Sequence, residues 1–262
     1  MRFRKLEPSF REKIWGATRL EPWFPNSQSK IGEVWFQAAE DLPLVKFLFT
    51  TDKLSVQVHP DDGYARQHHG SPGKTEMWHI LAAEPGARIA AGFRELLTPE
   101  QVRAAAVSGE IEGLLQWFEA RPGDTFFIPA GTVHAIGAGL TLCEIQQNSD
   151  VTYRLYDYRR PRELHLDRAL AVSHLGPRAA RPQSIENVLV SCRYFATERV
   201  GGRSAEYQPL ADRAHLLIAI EGDGEIAGQP IRAGEVWHVS RTSEFLQISG
   251  NLRLLRVSIP PA

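Results

Sequence analysis

A chain of 262 residues has room for one or two domains and for a core that needs no disulfide or metal staple. Its 30 Lys and Arg balance 31 Asp and Glu, so no global field favours a nucleic acid or an anionic membrane, and 43% hydrophobic with 23% charged residues is the composition of a folded soluble protein. No apolar run exceeds Leu216 to Ile220, far below the ~20 residues of a spanning helix, and the basic start of the chain lacks the apolar stretch of a signal peptide.

Short apolar stretches punctuated by 17 Pro and 21 Gly predict a mostly β protein, a sandwich or jelly roll. Strands are expected at 44–50, 54–59, 76–82, 125–128, 140–146, 194–200, 216–220, 235–239 and 252–258. A helical excursion near 98–118 interrupts them. Thr98-Pro99-Glu100-Gln101 offers a capping threonine, a proline at the first helical position and a glutamine at the third, and Ser108-Gly109 ends that first helix. Beyond it, Ile111, Leu114, Leu115 and Phe118 recur at helical spacing, which predicts a second helix over 110–118. A third short helix is expected over 168–172 with Asp167 as its cap.

Arg121-Pro122-Gly123-Asp124-Thr125-Phe126-Phe127-Ile128 resembles Arg232-Ala233-Gly234-Glu235-Val236-Trp237-His238-Val239, each a Gly-acid turn entering an apolar strand. Two related β units follow from this, with 176–182 as the linker. The register sets Phe245 opposite His134, so chemistry is expected in the first unit only. The expected organisation is a catalytic domain over 1–175, carrying the helical insertion, and a degenerate β domain over 183–262.

Three segments carry the chemistry. In Leu54-Ser55-Val56-Gln57-Val58-His59, strand alternation puts Gln57 and His59 on one face. In Lys74-Thr75-Glu76-Met77-Trp78-His79-Ile80, Lys74 and Glu76 share a face with Trp78 and Ile80, and a carboxylate there needs a positive partner, either a metal ion or Lys74. In Pro129-Ala130-Gly131-Thr132-Val133-His134, a turn after a strand presents a histidine among small and apolar neighbours. An amide, a carboxylate and two imidazoles form a nitrogen and oxygen shell suited to zinc, with iron, manganese and cobalt open on chemistry alone. His68 and His69 read as a surface loop, His79 faces away from Glu76, and His165 and His174 flank a helix.

These segments resemble the type I mannose-6-phosphate isomerases, in particular their short bacterial form, a branch of the cupin jelly rolls. The resemblance runs in order through Lys13-Ile14-Trp15-Gly16, Gly32-Glu33-Val34-Trp35, Gln57-Val58-His59-Pro60-Asp61-Asp62, Gly73-Lys74-Thr75-Glu76-Met77-Trp78, Pro129-Ala130-Gly131-Thr132-Val133-His134, Glu144-Ile145-Gln146-Gln147-Asn148-Ser149-Asp150 and Thr152-Tyr153-Arg154-Leu155-Tyr156-Asp157. It implies one zinc ion per chain at Gln57, His59, Glu76 and His134, with Arg154 in the active site and Lys74 in the same pocket. It also implies interconversion of mannose 6-phosphate and fructose 6-phosphate through an enediolate, with a small sugar phosphate as partner. Arg154 can stabilise that intermediate or grip the phosphate, and Lys74 can orient a hydroxyl, contact phosphate or shuttle protons; the base is unassigned. Ala17, Val34 and Arg159 depart from the family's glycine, serine and glycine. The alternatives are an isomerase for a related sugar, a metal-holding sugar-binding module without catalysis, and a cupin oxygenase. Two cysteines, Cys143 and Cys192, in no metal or redox spacing point to a reducing cytoplasm.

Overall fold

The computed structural model describes residues 3–38, 42–181 and 185–260, with the side chains of 202–205 outside the description. Two antiparallel sheets face each other across the first half of the chain. One runs Ser9–Ala17, Ile31–Phe36, Leu44–Thr50, Leu140–Gln146, Glu76–Ala83 and Thr125–Ile128 in spatial order, and the other runs Tyr153–Tyr156, Val56–Val58, His134–Ile136, Arg88–Phe93 and Leu115–Glu119. Leu48, Trp78, Ile80, Leu142 and Phe126 from the first sheet meet Ile89, Ala91 and Ile136 from the second, and fill one end of the space between them. The other end is polar.

Both sheets are covered on their outer faces as well. Val45, Phe47, Phe49, Met77, Cys143 and Ile145 turn outward from the six-stranded sheet and pack on Leu216, Ile218, Val236, Leu255 and Val257. Val56, Val58, Val133, Ala135 and Leu155 turn outward from the five-stranded sheet and pack under Val102, Ala105, Ala106 and Ala169 of the helices. Burial on both faces explains why 44–50 shows no alternation: every residue of Leu44–Thr50 is buried.

A third sheet holds the C-terminal strands in the order Val236–Val239, His215–Glu221, Leu246–Ser258, Ala196–Tyr207 and Val188–Ser191, with the hairpin of Asp223–Ile226 and Gln229–Arg232 attached. Its edge is closed by Phe3–Lys5, which pairs with Val236–Val239 and stacks Phe3 on Trp237 at 4.3 Å. The N-terminal strand therefore lies in the sheet of the C-terminal strands, not in the sheets of the first unit. Both Gly-acid turns of the internal repeat carry left-handed glycines, Gly123 at φ 88° and Gly234 at φ 91°. The end of the expected linker, Pro182, and residues 183 and 184 lie outside the described residues.

Pro99–Ser108 is the helix its sequence announces. Thr98 and Gln101 form a capping box, and Gly109 closes the helix at φ 91°. The expectation for 110–118 is corrected: Ile111–Leu114 makes one helical turn, and Leu115–Glu119 then pairs with Arg88–Phe93, where Phe118 sits opposite Ile89. Apolar residues at 111, 114, 115 and 118 satisfy a helix locally, but a strand partner with an open edge wins. The third helix runs Leu166–Val172 from His165, without a side-chain cap; Asp167 instead pairs with Arg103. The 54–59 strand shrinks to Val56–Val58. Asp62–His69 is a helix capped by Asp61, whose Oδ1 accepts from the Tyr64 amide at 2.9 Å, so His68 and His69, read as a surface loop, form the last turn of a helix. No described helix is long and apolar enough to cross a membrane.

Candidate metal centre

The centre is assembled by strand register. Gln57 lies directly opposite His134 on one side and Arg154 on the other, so the three side chains form a row on the inner face of the five-stranded sheet. His59 follows immediately after Val58. Glu76, the first residue of Glu76–Ala83, faces them from the opposite sheet between Ile128 and Gln146.

His59, Glu76 and His134 are each 1% exposed, and one ligand atom of each lies within 4.8 Å of the others. His59 Nε2 is 3.6 Å from Glu76 Oε2, and His134 Nε2 is 3.4 Å from Glu76 Oε1. The far ring nitrogens settle the tautomers. His59 Nδ1 is 2.9 Å from the Val151 carbonyl and His134 Nδ1 is 2.9 Å from the Thr132 carbonyl. A carbonyl only accepts, so both Nδ1 atoms carry the proton and both Nε2 lone pairs point inward. Glu76 Oε1 is buried without a hydrogen-bond partner. Two imidazole lone pairs and an orphaned carboxylate oxygen converging in a buried space fit a divalent cation of the zinc type.

Lys74 fills part of that role. Its Nζ is 2.9 Å from His59 Nε2, contacts Glu76 Oε2, and lies 3.6 Å from Glu144 Oε1. Burial alone would lower the Lys74 pKa, but Glu144 and Glu76 overrule it and raise it. The proton shuttle, which needs a lowered value, draws no support from this arrangement; a divalent cation at the centre acts in the opposite sense.

Gln57 presents its amide nitrogen to His134 Nε2 at 3.2 Å, while Ser55 Oγ donates to its amide oxygen at 3.1 Å. Arg154 is beside Gln57 in register but engaged elsewhere: Nη1 donates to the Glu163 carbonyl at 2.8 Å, and Nε is buried without a partner. Partial burial and the neighbouring Arg162 guanidinium lower its pKa, against the attraction of Asp157. His165 brackets the Arg154 backbone, its Nδ1 accepting from the Arg154 amide at 3.1 Å and its own amide donating to the Arg154 carbonyl at 2.7 Å. Of the other histidines, His79 turns to Thr125 Oγ1 at 3.0 Å, and the His174 amide donates to the Gly131 carbonyl at 2.7 Å.

Sequence reasoning missed Lys46 and Glu144. Both are buried, their charged atoms are 3.5 Å apart, and they stand in one cross-strand row with Trp35 and Trp78. Lys46 Nζ lies 4.1 Å from the Trp35 ring centroid. Burial raises the Glu144 pKa, opposed by Lys74. The signal was a lone lysine in the apolar run 44–49.

Burial keeps several histidines neutral. It lowers His134, His79 and His215 to about 4, and His59 well below its usual value, with Lys74 adding to the effect at His59. An unfolded chain protonates the same rings near pH 6.5, so these groups contribute their full stability above about pH 6.5 and lose it as pH falls towards about 4. Metal-free protein is therefore expected to show a lower denaturant midpoint at about pH 5 than at about pH 7.5; an unchanged or higher midpoint would contradict the neutral assignment.

No protein-family model matches the chain. The chain is 36% identical over 232 residues to the mannose-6-phosphate isomerase of Streptococcus mutans, a match that covers 81% of this chain and 72% of the relative. It is 34% identical to mannose-6-phosphate isomerase ManA of Bacillus subtilis, with 88% of this chain and 90% of the relative covered. The solved mannose 6-phosphate isomerase of Bacillus subtilis shares the fold at a TM-score of 0.87 and 28% identity, over 99% of this chain and 100% of that one. A zinc-bound mannose 6-phosphate isomerase shares it at a TM-score of 0.78 and 17% identity, with 100% of both chains covered.

Proposed function

Because the chain belongs to the mannose-6-phosphate isomerase family, we propose that it interconverts mannose 6-phosphate and fructose 6-phosphate at the centre of His59, Glu76 and His134. The observation that carries this reading is the convergence of two deprotonated Nε2 atoms and the orphaned Glu76 oxygen between the sheets of a cupin-type jelly roll. One zinc ion would be held by these three residues, with Gln57 as a fourth and neutral ligand once its amide turns its oxygen inward. When bound, zinc supplies Lewis-acid stabilisation of the negative charge that develops on the sugar's C1 and C2 oxygens.

The chain's own groups do the rest. Val151 and Thr132 hold the two imidazoles in the liganding tautomer. Lys74, charged and pinned by two carboxylates, donates to a sugar hydroxyl. Arg154 adds a permanent forked cation in the same row, which would turn from the Glu163 carbonyl to meet substrate oxygens. Glu144 is the buried carboxylate that the metal set leaves over; its Oε1 has no hydrogen-bond partner, and a raised pKa suits a group that takes a proton from one sugar carbon and returns it to the next.

The same reading divides the chain into a catalytic cupin unit over 1–175 and a degenerate cupin-like unit over 183–262, with the strand Phe3–Lys5 lent to the second. Phe245, set opposite His134 by the internal repeat, is 59% exposed and brings no polar ligand. A small sugar phosphate is the partner, and no nucleic acid or membrane enters the scheme. Cytoplasmic residence is supported by Cys143 and Cys192, both free.

A coupled assay of fructose 6-phosphate formation from mannose 6-phosphate tests the reading. Activity is expected, lost on chelation and restored by zinc. Activity that survives removal of all metal would overturn the metal role, and no activity with zinc restored would favour a sugar-binding module.

A further inference from the structure

Two sequence segments, Pro60-Asp61-Asp62 and Gln146-Gln147, take no part in the chemistry described above, yet both grip the segment that delivers it. Lys74 and Glu76 reach the centre from residues 73–76, of which only Glu76 belongs to a strand. The three residues before it are held by side chains. Gln147 Oε1 accepts from the Thr75 amide at 2.8 Å, while the Gln147 amide of the main chain donates to the Thr75 carbonyl at 3.0 Å. Gln147 Nε2 donates to Asp62 Oδ1 at 2.8 Å, and the same carboxylate oxygen accepts from the Gly73 amide at 2.9 Å. One amide and one carboxylate thus close a ring of hydrogen bonds around residues 73–75.

The rest of the segment is equally confined. The Lys74 amide donates to the Pro60 carbonyl at 3.0 Å, and Thr75 Oγ1 accepts from the Ala130 amide at 3.2 Å, on the turn that leads to His134. A Cβ on Gly73 would lie 2.5 Å from the Asp61 carbonyl carbon, so only glycine permits this approach. Asp62 keeps its second oxygen for Arg66 and Arg193, at 3.6 and 3.7 Å, which leaves Oδ1 to the ring.

We propose that Asp62 and Gln147 are positioning residues for the isomerisation: by fixing the main chain of residues 73–75, they set Lys74 Nζ and the Glu76 carboxylate against His59 and His134. This rests on the roles assigned above to Lys74 and Glu76. Neither clamp residue touches the centre itself. A displacement of about 1 Å in a catalytic group costs about 10²-fold in rate, and loss of a partner behind a metal ligand about 10 to 100-fold. The pair borders a cavity of about 500 Å³ that Arg66, Arg193 and Tyr194 also line, so truncating Gln147 leaves no sealed void.

The test measures kcat, KM and melting temperature at saturating zinc for wild type, Gln147→Met, Gln147→Glu, Asp62→Asn, the double variant Gln147→Glu with Asp62→Asn, and Lys74→Met. Gln147→Met is expected to lower kcat about 10 to 100-fold with KM within about twofold, because alignment and not binding is lost. Gln147→Glu sets carboxylate against carboxylate and loses comparably; adding Asp62→Asn removes that repulsion and recovers part of the kcat, the recovery being incomplete because an amide NH2 turned to the new acid no longer accepts from the Gly73 amide. A residue that only stabilised the fold would lower the melting temperature and leave kcat at saturating zinc unchanged. The clamp is overturned if Gln147→Met keeps wild-type kcat, or if the double variant is no better than the product of the singles. Lys74→Met reads the underlying assignment: lost activity there beside an unimpaired Gln147→Met overturns the clamp alone, and an unimpaired Lys74→Met overturns the role of Lys74 and the clamp with it.

Discussion

Arg154→Ala lowers kcat by about 10² to 10³ and leaves the bound zinc in place, because the guanidinium shares the row of Gln57 and His134 without touching the three ligand atoms. A buried Nε without a partner and a single main-chain acceptor at Nη1 leave most of the fork's donors for substrate. The split between constants reads its role. A fall in kcat at constant KM means that Arg154 meets charge formed during the reaction, whereas a rise in KM means that it grips the phosphate in ground and transition states alike. Arg154→Lys keeps the charge but not the planar fork, so it falls between wild type and Arg154→Ala. Steady-state kinetics with zinc content measured in parallel checks this, and near-wild-type turnover in Arg154→Ala would remove Arg154 from the site.

Glu76→Gln has the second large effect, and it acts on metal and stability together. The substitution removes the one negative charge among the ligands, so zinc content and activity are both expected to collapse. It also strips Lys74 of its closest carboxylate in a place where the lysine is only 4% exposed. Leaving a buried charge unpaired costs about 3 to 5 kcal/mol. Glu144, at 3.6 Å, offsets part of this because it remains as a counter-ion. Metal analysis and denaturant unfolding of the variant measure the two losses, and a variant with full zinc content and unchanged stability would take Glu76 out of the centre.

Glu76 and His134 were legible as candidate ligands because each sits where local pattern and chemistry disagree, whereas Gln57 and His59 were marked only by strand alternation and by the family resemblance. An acid beside Trp78 and Ile80, or a histidine after a Pro-x-Gly turn, stands out against apolar neighbours whatever the strand partners are. Lys46 and Glu144 carried the same signal more faintly. They come from strands apolar on both faces, so no alternation marked their side as the inner one. Strand partners were out of reach. Phe3–Lys5 pairs with Val236–Val239 across almost the whole chain, and Leu115–Glu119 becomes a strand only because Arg88–Phe93 offers an edge. A window around Leu115 and Phe118 contains a helical period and no trace of that edge.

Anomalous diffraction at the zinc edge, on crystals of the zinc-loaded protein, bears most directly on whether the four separated groups bind one ion. A single strong peak is expected within about 2.0 to 2.3 Å of His59 Nε2, His134 Nε2 and a Glu76 oxygen, with the Gln57 amide oxygen turned towards it. A peak elsewhere, or no peak between the two sheets, would contradict it.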